Sequence, residues 1–358
     1  MPTASKSALV EYMNIDQEVE DFLHNERRAF EETSREVPSG INQGKSRNRK
    51  GKEKIESMET EKRLKRKYEE KRKEIRIACH NINGLKTRGW KLENLLGWAK
   101  EEEITILGIT ETNIAEKEGK ILVHNYNTQY KGYWTSAMSD KKKESGIGIL
   151  IDERWEKHVG AVKRVSEYML EVRLYFKQLE LVVLGIYIPP NDKTISKKIQ
   201  QKIVEVITNR KRHTEVVILG DFNHTVDNIL DRQHPQALNY KRLPLFNWLK
   251  RQNFTDSFRN LHPLERAYTW SSCEAATRID YIWLSEALTS GLQGAGIEEA
   301  EGLTDSDHSI VLIKVWMGHI IANSSRAEVK RKDQTRTIYL YEEASQENWE
   351  EYAKELQS

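Results

Sequence analysis

Asp221 and Asn223 stand two positions apart at the end of the run Val216-Val217-Ile218-Leu219-Gly220-Asp221-Phe222-Asn223-His224. If the backbone stays extended there, alternate residues face the same side. An acid that can take a proton from water would then stand beside an amide that can hold a phosphate oxygen. Gly, Asp and Asn also form turns, and for this stretch alone a turn is the simpler account. The arrangement recurs, however. Asn81 with Asn83, Glu111, Tyr187, Asp280, and Asp307 with His308 all lie at ends of apolar runs. Strand ends that deliver acids, amides, a tyrosine and a histidine point to one rim where loops converge on a site. Oxygen donors without a cysteine cluster suit Mg²⁺ or Mn²⁺, not structural zinc. An amide holds phosphate or metal without adding charge that would repel a phosphodiester. His308 could orient water or stabilise developing charge, with Asp280 fixing its ring. The set as a whole fits metal-assisted phosphodiester cleavage. Each member also has a local reading: Asn83 and Asp307 as turn formers, Tyr187 as a core aromatic.

Strands must position these residues. Ile75-Arg76-Ile77-Ala78-Cys79-His80-Asn81 alternates and runs into the tight loop Asn81-Ile82-Asn83-Gly84. Residues 104–109 predict a second strand with Glu111 just past its end. Residues 146–151, 168–176 and 181–188 predict three more, the last stopping at Pro189-Pro190. The apolar run before Asp221 reads as a buried strand, and 278–283 and 310–315 read as the last two strands. Helical spacing marks 90–99, a polar helix covers 194–212, and 243–249 resembles a short helix. Many strands with helices of unequal length indicate an α/β sandwich, and hairpin-like pairs argue against an all-parallel sheet.

At 358 residues, 38% hydrophobic and 31% charged, the chain has material for a large core and a very polar remainder. The polar part lies at the ends. Residues 1–73 are sparse in apolar groups and carry Lys45-Ser46-Arg47-Asn48-Arg49-Lys50 and Lys62-Arg63-Leu64-Lys65-Arg66-Lys67. They read as a basic, largely disordered or helical arm. Nuclear import or nucleic-acid binding accounts for it as well as a solubilising helix does. Residues 74–317 read as the folded domain, and 318–358 as a polar tail with a short helix. Cys79 and Cys273 are too few for a disulfide framework or a thiolate metal site, which fits a reducing compartment. The N-terminus lacks the apolar core of a signal peptide, and no run reaches the ~18 apolar residues of a membrane helix. The expectation is an intracellular protein, nuclear in location, with no membrane partner.

Taken in order, the chain resembles the endonuclease/exonuclease/phosphatase superfamily of exonuclease III, AP endonucleases and DNase I. The resemblance runs from Ile75 to Trp316. It rests on Asn81-Ile82-Asn83-Gly84-Leu85, Ile109-Thr110-Glu111-Thr112, Gly185-Ile186-Tyr187, Gly220-Asp221-Phe222-Asn223, Tyr268-Thr269-Trp270, Arg278-Ile279-Asp280-Tyr281 and Ser306-Asp307-His308-Ser309. It implies a four-layer α/β sandwich of mixed, largely antiparallel sheets and a Mg²⁺-dependent nuclease whose partner is nucleic acid, foremost DNA. It further implies that Glu111 holds the metal with Asn81 beside it and Asp307 as a further ligand or acceptor. Asp221 would activate water or assist the leaving oxygen. Asn223 and Asn83 would position the phosphate, and Tyr187 would contact the phosphate or leaving group. His308, oriented by Asp280, would stabilise the transition state. Tyr187-Ile188-Pro189-Pro190 departs from many AP endonucleases, which have Asn after a single Pro, and is more similar to endonuclease domains of non-LTR retrotransposons. Residues 337–356 resemble the linker that follows such domains. Two other functions stay open: a phosphoesterase of the same fold acting on inositol or lipid phosphates, and a silent remnant that binds nucleic acid without cutting it.

Overall fold

A computed structural model describes residues 73–126, 128–137, 144–176, 179–235, 242–318 and 320. The two basic clusters and the short helix expected in the tail lie outside the described residues. Two six-stranded sheets form the frame. The first is ordered β13 (Leu292–Glu298), β14 (Ile310–Trp316), β1 (Glu74–Asn81), β2 (Ile106–Thr110), β4 (Ile147–Asp152) and β3 (Tyr130–Trp134). The second is ordered β5 (Val159–Ser166), β6 (Met169–Tyr175), β7 (Glu180–Tyr187), β8 (Thr214–Asp221), β12 (Asp280–Leu284) and β9 (Thr255–Asp256). A short hairpin of β10 (Trp270–Ser271) and β11 (Ala276–Thr277) stands apart. Within the two sheets β1–β2 and β7–β8 are parallel and the other pairs antiparallel.

Burial dictates the layering. Helix Trp90–Glu101 turns Leu92, Leu95, Leu96 and Ala99 onto the outer face of the first sheet, among Ala78, Leu107, Ile109 and Leu150. Helix Lys193–Thr208 buries Ile199, Ile203 and Ile207, a four-residue spacing that makes one stripe of a mostly polar helix. That stripe and Phe246 of helix Pro244–Arg251 cover the second sheet, where Phe246 stacks on Trp283 with ring centroids 5.7 Å apart. The inner faces meet closely: a Cβ on Gly108 of β2 would fall 2.0 Å from Leu219 Cδ1 of β8. The fold is therefore helix, sheet, sheet, helix, as the sequence implied. From Val216 to Leu219 β8 is continuously apolar because both of its faces are covered. Among the described residues no helix is long and apolar enough to cross a membrane.

The parallel strands β1, β2, β7 and β8 all end at one rim, and the antiparallel β12 and β14 begin there. Asp280 pairs with Asp221, and Tyr187 with Asp221, so the register alone gathers three of the expected residues. At the opposite end of the first sheet β1 and β14 pair at Glu74 and Trp316, and Met317 N donates to Lys73 O at 2.7 Å. Two expectations need correction. The last two strands are not 278–283 and 310–315 in succession, because β13 intervenes. The backbone does not stay extended past Asp221 either, since Asn223 lies at φ +50°. Asp221 Oδ1 accepts from Asn223 N at 2.7 Å, a side-chain turn of the kind Asp readily forms. Turn and site are therefore the same residues.

Candidate active site

The first sheet supplies Asn81 and Glu111. Asn81 closes β1 with its side chain facing the second sheet. Its Nδ2 donates to Glu111 Oε1 at 2.8 Å and to Asp221 Oδ2 at 3.0 Å, and lies 3.4 Å from His308 Nε2. Glu111 follows β2 at φ +52°, a conformation few non-glycine residues adopt and one that turns its carboxylate back over the rim. The second sheet supplies Tyr187, Asp221 and Asp280. The Tyr187 hydroxyl is placed beside the Glu111 carboxylate, and its ring lies over Tyr168 with centroids 6.1 Å apart. His308 enters just before β14, and its Nδ1 meets Asp280 Oδ2 at 2.8 Å.

Several of these groups are under electrostatic load. Burial, and then the Asp280 carboxylate, push the Asp221 carboxyl well above its ordinary range. Burial raises Glu111, against the Asn81 hydrogen bond. Burial raises the Tyr187 hydroxyl, and Glu111 and Asp221 add to it. For His308 burial acts downward, but Asp280 first, with Asp221 and Asp307 behind it, raises the imidazole to about 10. Neighbouring His80 goes the other way: burial and the His308 charge lower it to about 3, and its Nε2 lies 2.8 Å from Thr304 Oγ1.

The predicted residues fall into a centre and an edge. Asn81, Glu111, Tyr187, Asp221, Asp280 and His308 form the centre. Half-buried Asn223 adjoins it, and its buried Nδ2 has no acceptor. Asn83 and Asp307 are exposed and pair with each other, Nδ2 to Oδ1 at 3.3 Å. Asp307 Oδ2 takes a second donor, Trp270 Nε1, at 2.8 Å. Both Asp307 oxygens are thus engaged at the rim.

Asp221, Asp280 and His308 offer donor atoms that lie within 4.8 Å of one another. The proton between His308 Nδ1 and Asp280 Oδ2 leaves that edge of the triangle closed to an ion. The carboxylates of Glu111 and Asp221, both leaning on the one neutral Asn81 amide, make the more open, oxygen-rich place. Two raised acids sharing a neutral donor fit a hard divalent cation, which would offset their charge.

Residues without an expected role hold the site in shape. Thr269 Oγ1 accepts from Ile279 N and Asp280 N, each at 3.0 Å, and its carbonyl accepts from Ser309 N at 2.7 Å. One threonine thereby sets Asp280 against His308. Ser306 Oγ donates to Asn81 O at 2.6 Å and accepts from His308 N at 3.2 Å. Both lie inside motifs that carry the resemblance, but a hydroxyl in a loop gives no signal of such a task.

A rim of acids and amides around an acid-bound histidine, on an α/β sandwich, is that of a phosphoester hydrolase. The chain belongs to the endonuclease/exonuclease/phosphatase family, whose sequence model matches residues 78–308. The DNA repair nuclease APEX1 of Danio rerio is 27% identical to it over 257 residues, spanning 65% of this chain and 80% of that protein. Solved structures with the same fold include the AP endonuclease LMAP of Leishmania major, at TM-score 0.56 and 16% identity over 68% of this chain and 88% of that one. A Neisseria 3′ phosphatase bound to product DNA hairpin matches at TM-score 0.55 and 18% identity, over 67% of this chain and 99% of its own. The catalytic domain of Xenopus laevis APE2 matches at 0.53 and 21%, over 68% and 92%.

Proposed function

We propose that this chain is a Mg²⁺-dependent DNA endonuclease of the retrotransposon-derived type. The observation that carries the reading is the Asn81 amide, within reach of Glu111, Asp221 and His308 at once. Nucleases of DNA among its relatives, one of them bound to DNA, support nucleic acid as the substrate. Pro189-Pro190 after Tyr187 supports the retrotransposon type. Glu111 with Asn81 and Asp221 would hold Mg²⁺ or Mn²⁺, which when bound offsets charge on the phosphate oxygens.

The chain's own groups divide the remaining work. Asp221, its carboxyl raised by burial and by Asp280, takes the proton of the attacking water. Asn223 Nδ2, a donor without an acceptor, holds a non-bridging phosphate oxygen. His308, kept cationic by Asp280, stabilises the charge that builds on phosphorus-bound oxygen. Tyr187 contacts the phosphate or the leaving oxygen, and Asn83 at the rim contacts a phosphate along the strand.

Nicking of supercoiled plasmid by purified protein, with Mg²⁺, with Mn²⁺ and with chelator, tests the reading. We expect nicking with metal and none with chelator. Asp221→Ala and His308→Ala should each lose ~10²-fold or more in rate while remaining folded. Turnover of an inositol-phosphate panel with plasmid left intact would replace the nuclease reading with that of a small-phosphate phosphoesterase. Binding of DNA with no cleavage under any metal would leave a silent remnant.

A further inference from the structure

Lys91 occupies a place where a lysine is costly. It shares the buried stripe of helix Trp90–Glu101 with Leu95 and Ala99, at a spacing of four, and its side chain is fully buried. Burial lowers its pKa and nearby Arg88 lowers it further, while Asp305 and Asp307 pull upward. No carboxylate among the described residues lies within ion-pair distance of its Nζ. A leucine would serve the packing of this stripe better than an unpaired ammonium does.

The ammonium has other partners. Its Nζ donates to Ile82 O at 2.8 Å and to Asn83 O at 3.2 Å. These carbonyls belong to loop 81–84, which carries both amides of the first sheet's half of the site. The same loop is held from the other side by Ile82 N to Thr110 O at 3.1 Å, Gly84 N to Glu111 O at 2.8 Å and Leu85 N to Thr112 O at 2.9 Å. Within it Asn83 stands at φ +50°, and its N donates to Asn81 Oδ1 at 3.1 Å. The unusual backbone and the orientation of the Asn81 side chain are therefore one geometry. Lys91 is the side chain that fastens it from below.

We infer that Lys91 is a positioning residue: its ammonium clamps the carbonyls of Ile82 and Asn83 and thereby fixes where the amides of Asn81 and Asn83 meet Glu111, Asp221 and the phosphate. The inference rests on the proposed function for its catalytic readout. Without the clamp the buried Ile82 carbonyl and the part-buried Asn83 carbonyl lose their donor, and the loop relaxes away from φ +50° at Asn83. A displacement of about 1 Å in a group that aligns the reactants can cost ~10²-fold in rate.

The experiment uses the full chain with Lys91→Met and Lys91→Gln. Methionine keeps the unbranched apolar stem and removes the donors. Glutamine restores N–H donors without the charge. For Lys91→Met we expect kcat for plasmid nicking to fall ~10²-fold with KM little changed and the protein still folded. Lys91→Gln should recover most of that loss. Amide hydrogen exchange at Ile82, Gly84 and Leu85 should accelerate in the methionine variant and slow again in the glutamine one, with the remaining strands unaltered. Wild-type kcat and unchanged exchange in Lys91→Met would overturn the inference. A folded Lys91→Gln that loses as much as Lys91→Met would also overturn it, because the effect would then belong to charge or packing. If Lys91→Met does not fold, Lys91→Gln decides by the same two readouts. Failure of the wild-type protein to cut DNA would overturn the functional reading instead, and exchange at loop 81–84 would then test the clamp alone.

Discussion

Asn81 has two N–H bonds on its Nδ2 and three neighbours within reach of them. With Asp280 raising its pKa to about 10, His308 at neutral pH carries a proton on both ring nitrogens, which are then both donors. The 3.4 Å approach of Asn81 to His308 Nε2 is then no hydrogen bond, and the two N–H groups go to Glu111 and Asp221. His308 Nε2–H is left to donate to substrate. This protonation has a pH signature. A folded-state value raised to about 10, above an ordinary ~6.5, contributes stability that is complete below the unfolded value and fades as pH rises through 10. Asp280→Asn should bring the His308 midpoint down toward neutrality and remove that dependence; histidine ring NMR and thermal melts in chelator read both. Glu111 has a linkage of the same sign in a lower pH range. Its raised carboxyl binds a proton more tightly folded than unfolded, so ionisation costs stability as pH climbs above ~4.3. Glu111→Gln should therefore melt at higher temperature than wild type in chelator at neutral pH. It should also gain less from Mg²⁺ and need ~10-fold more of it for activity. The types of these residues could be read from the sequence because each ended an apolar run. Their partnerships could not: Asp307 looks as good a ligand as Glu111 until Trp270 and Asn83 are seen to engage its two oxygens.

Among elements, the central strands were legible and the edges were not. β1, β2, β7, β8 and β12 are covered on both faces, so selection for burial writes a dense apolar run into each. The missed β3, β5, β9 and β13 are the four edge strands of the two sheets. They are shorter or half-exposed, and glycines 132, 160, 294 and 296 dilute their pattern. Two other glycines give opposite predictions. Gly220, just before Asp221, sits at φ +132°, and a Cβ there would lie 2.0 Å from Ile186 O, a backbone atom. Gly220→Ala should cost on the order of 3 kcal/mol and pull Asp221 away from Tyr187. Gly97, inside helix Trp90–Glu101, has nothing within 4 Å of an added Cβ. Gly97→Ala should add up to about 1 kcal/mol, since alanine is the better helix former. Denaturant melts of the two variants check both, and equal stabilities would refute the steric reading of Gly220.

For the whole molecule, the first sheet is built from both ends of the folded region and the second from its middle, and the site exists only where the two meet. No segment read alone could show that Asn81 and Asp221, 140 positions apart, share a hydrogen bond. The basic arm makes its own prediction from sequence. Cationic contacts from such a segment go to phosphates and release counterions. A truncated protein beginning at Lys73 should bind DNA more weakly, with a flatter dependence on salt, and still cut it at saturation. An unchanged salt slope would make the arm an address or a solubilising segment. Loss of turnover at saturating DNA would place the arm in the site. The pairing of β1 with β14 bears on what surrounds the domain. Lys73 and Met317 are hydrogen-bonded neighbours, about 25 Å along β1 from Asn81. Chain therefore enters and leaves through a single doorway on the side away from the chemistry. A domain wired this way is a cassette: it can be spliced into a longer polypeptide, or sealed at the doorway and reopened at an exposed turn, without any neighbouring segment having to cross the rim.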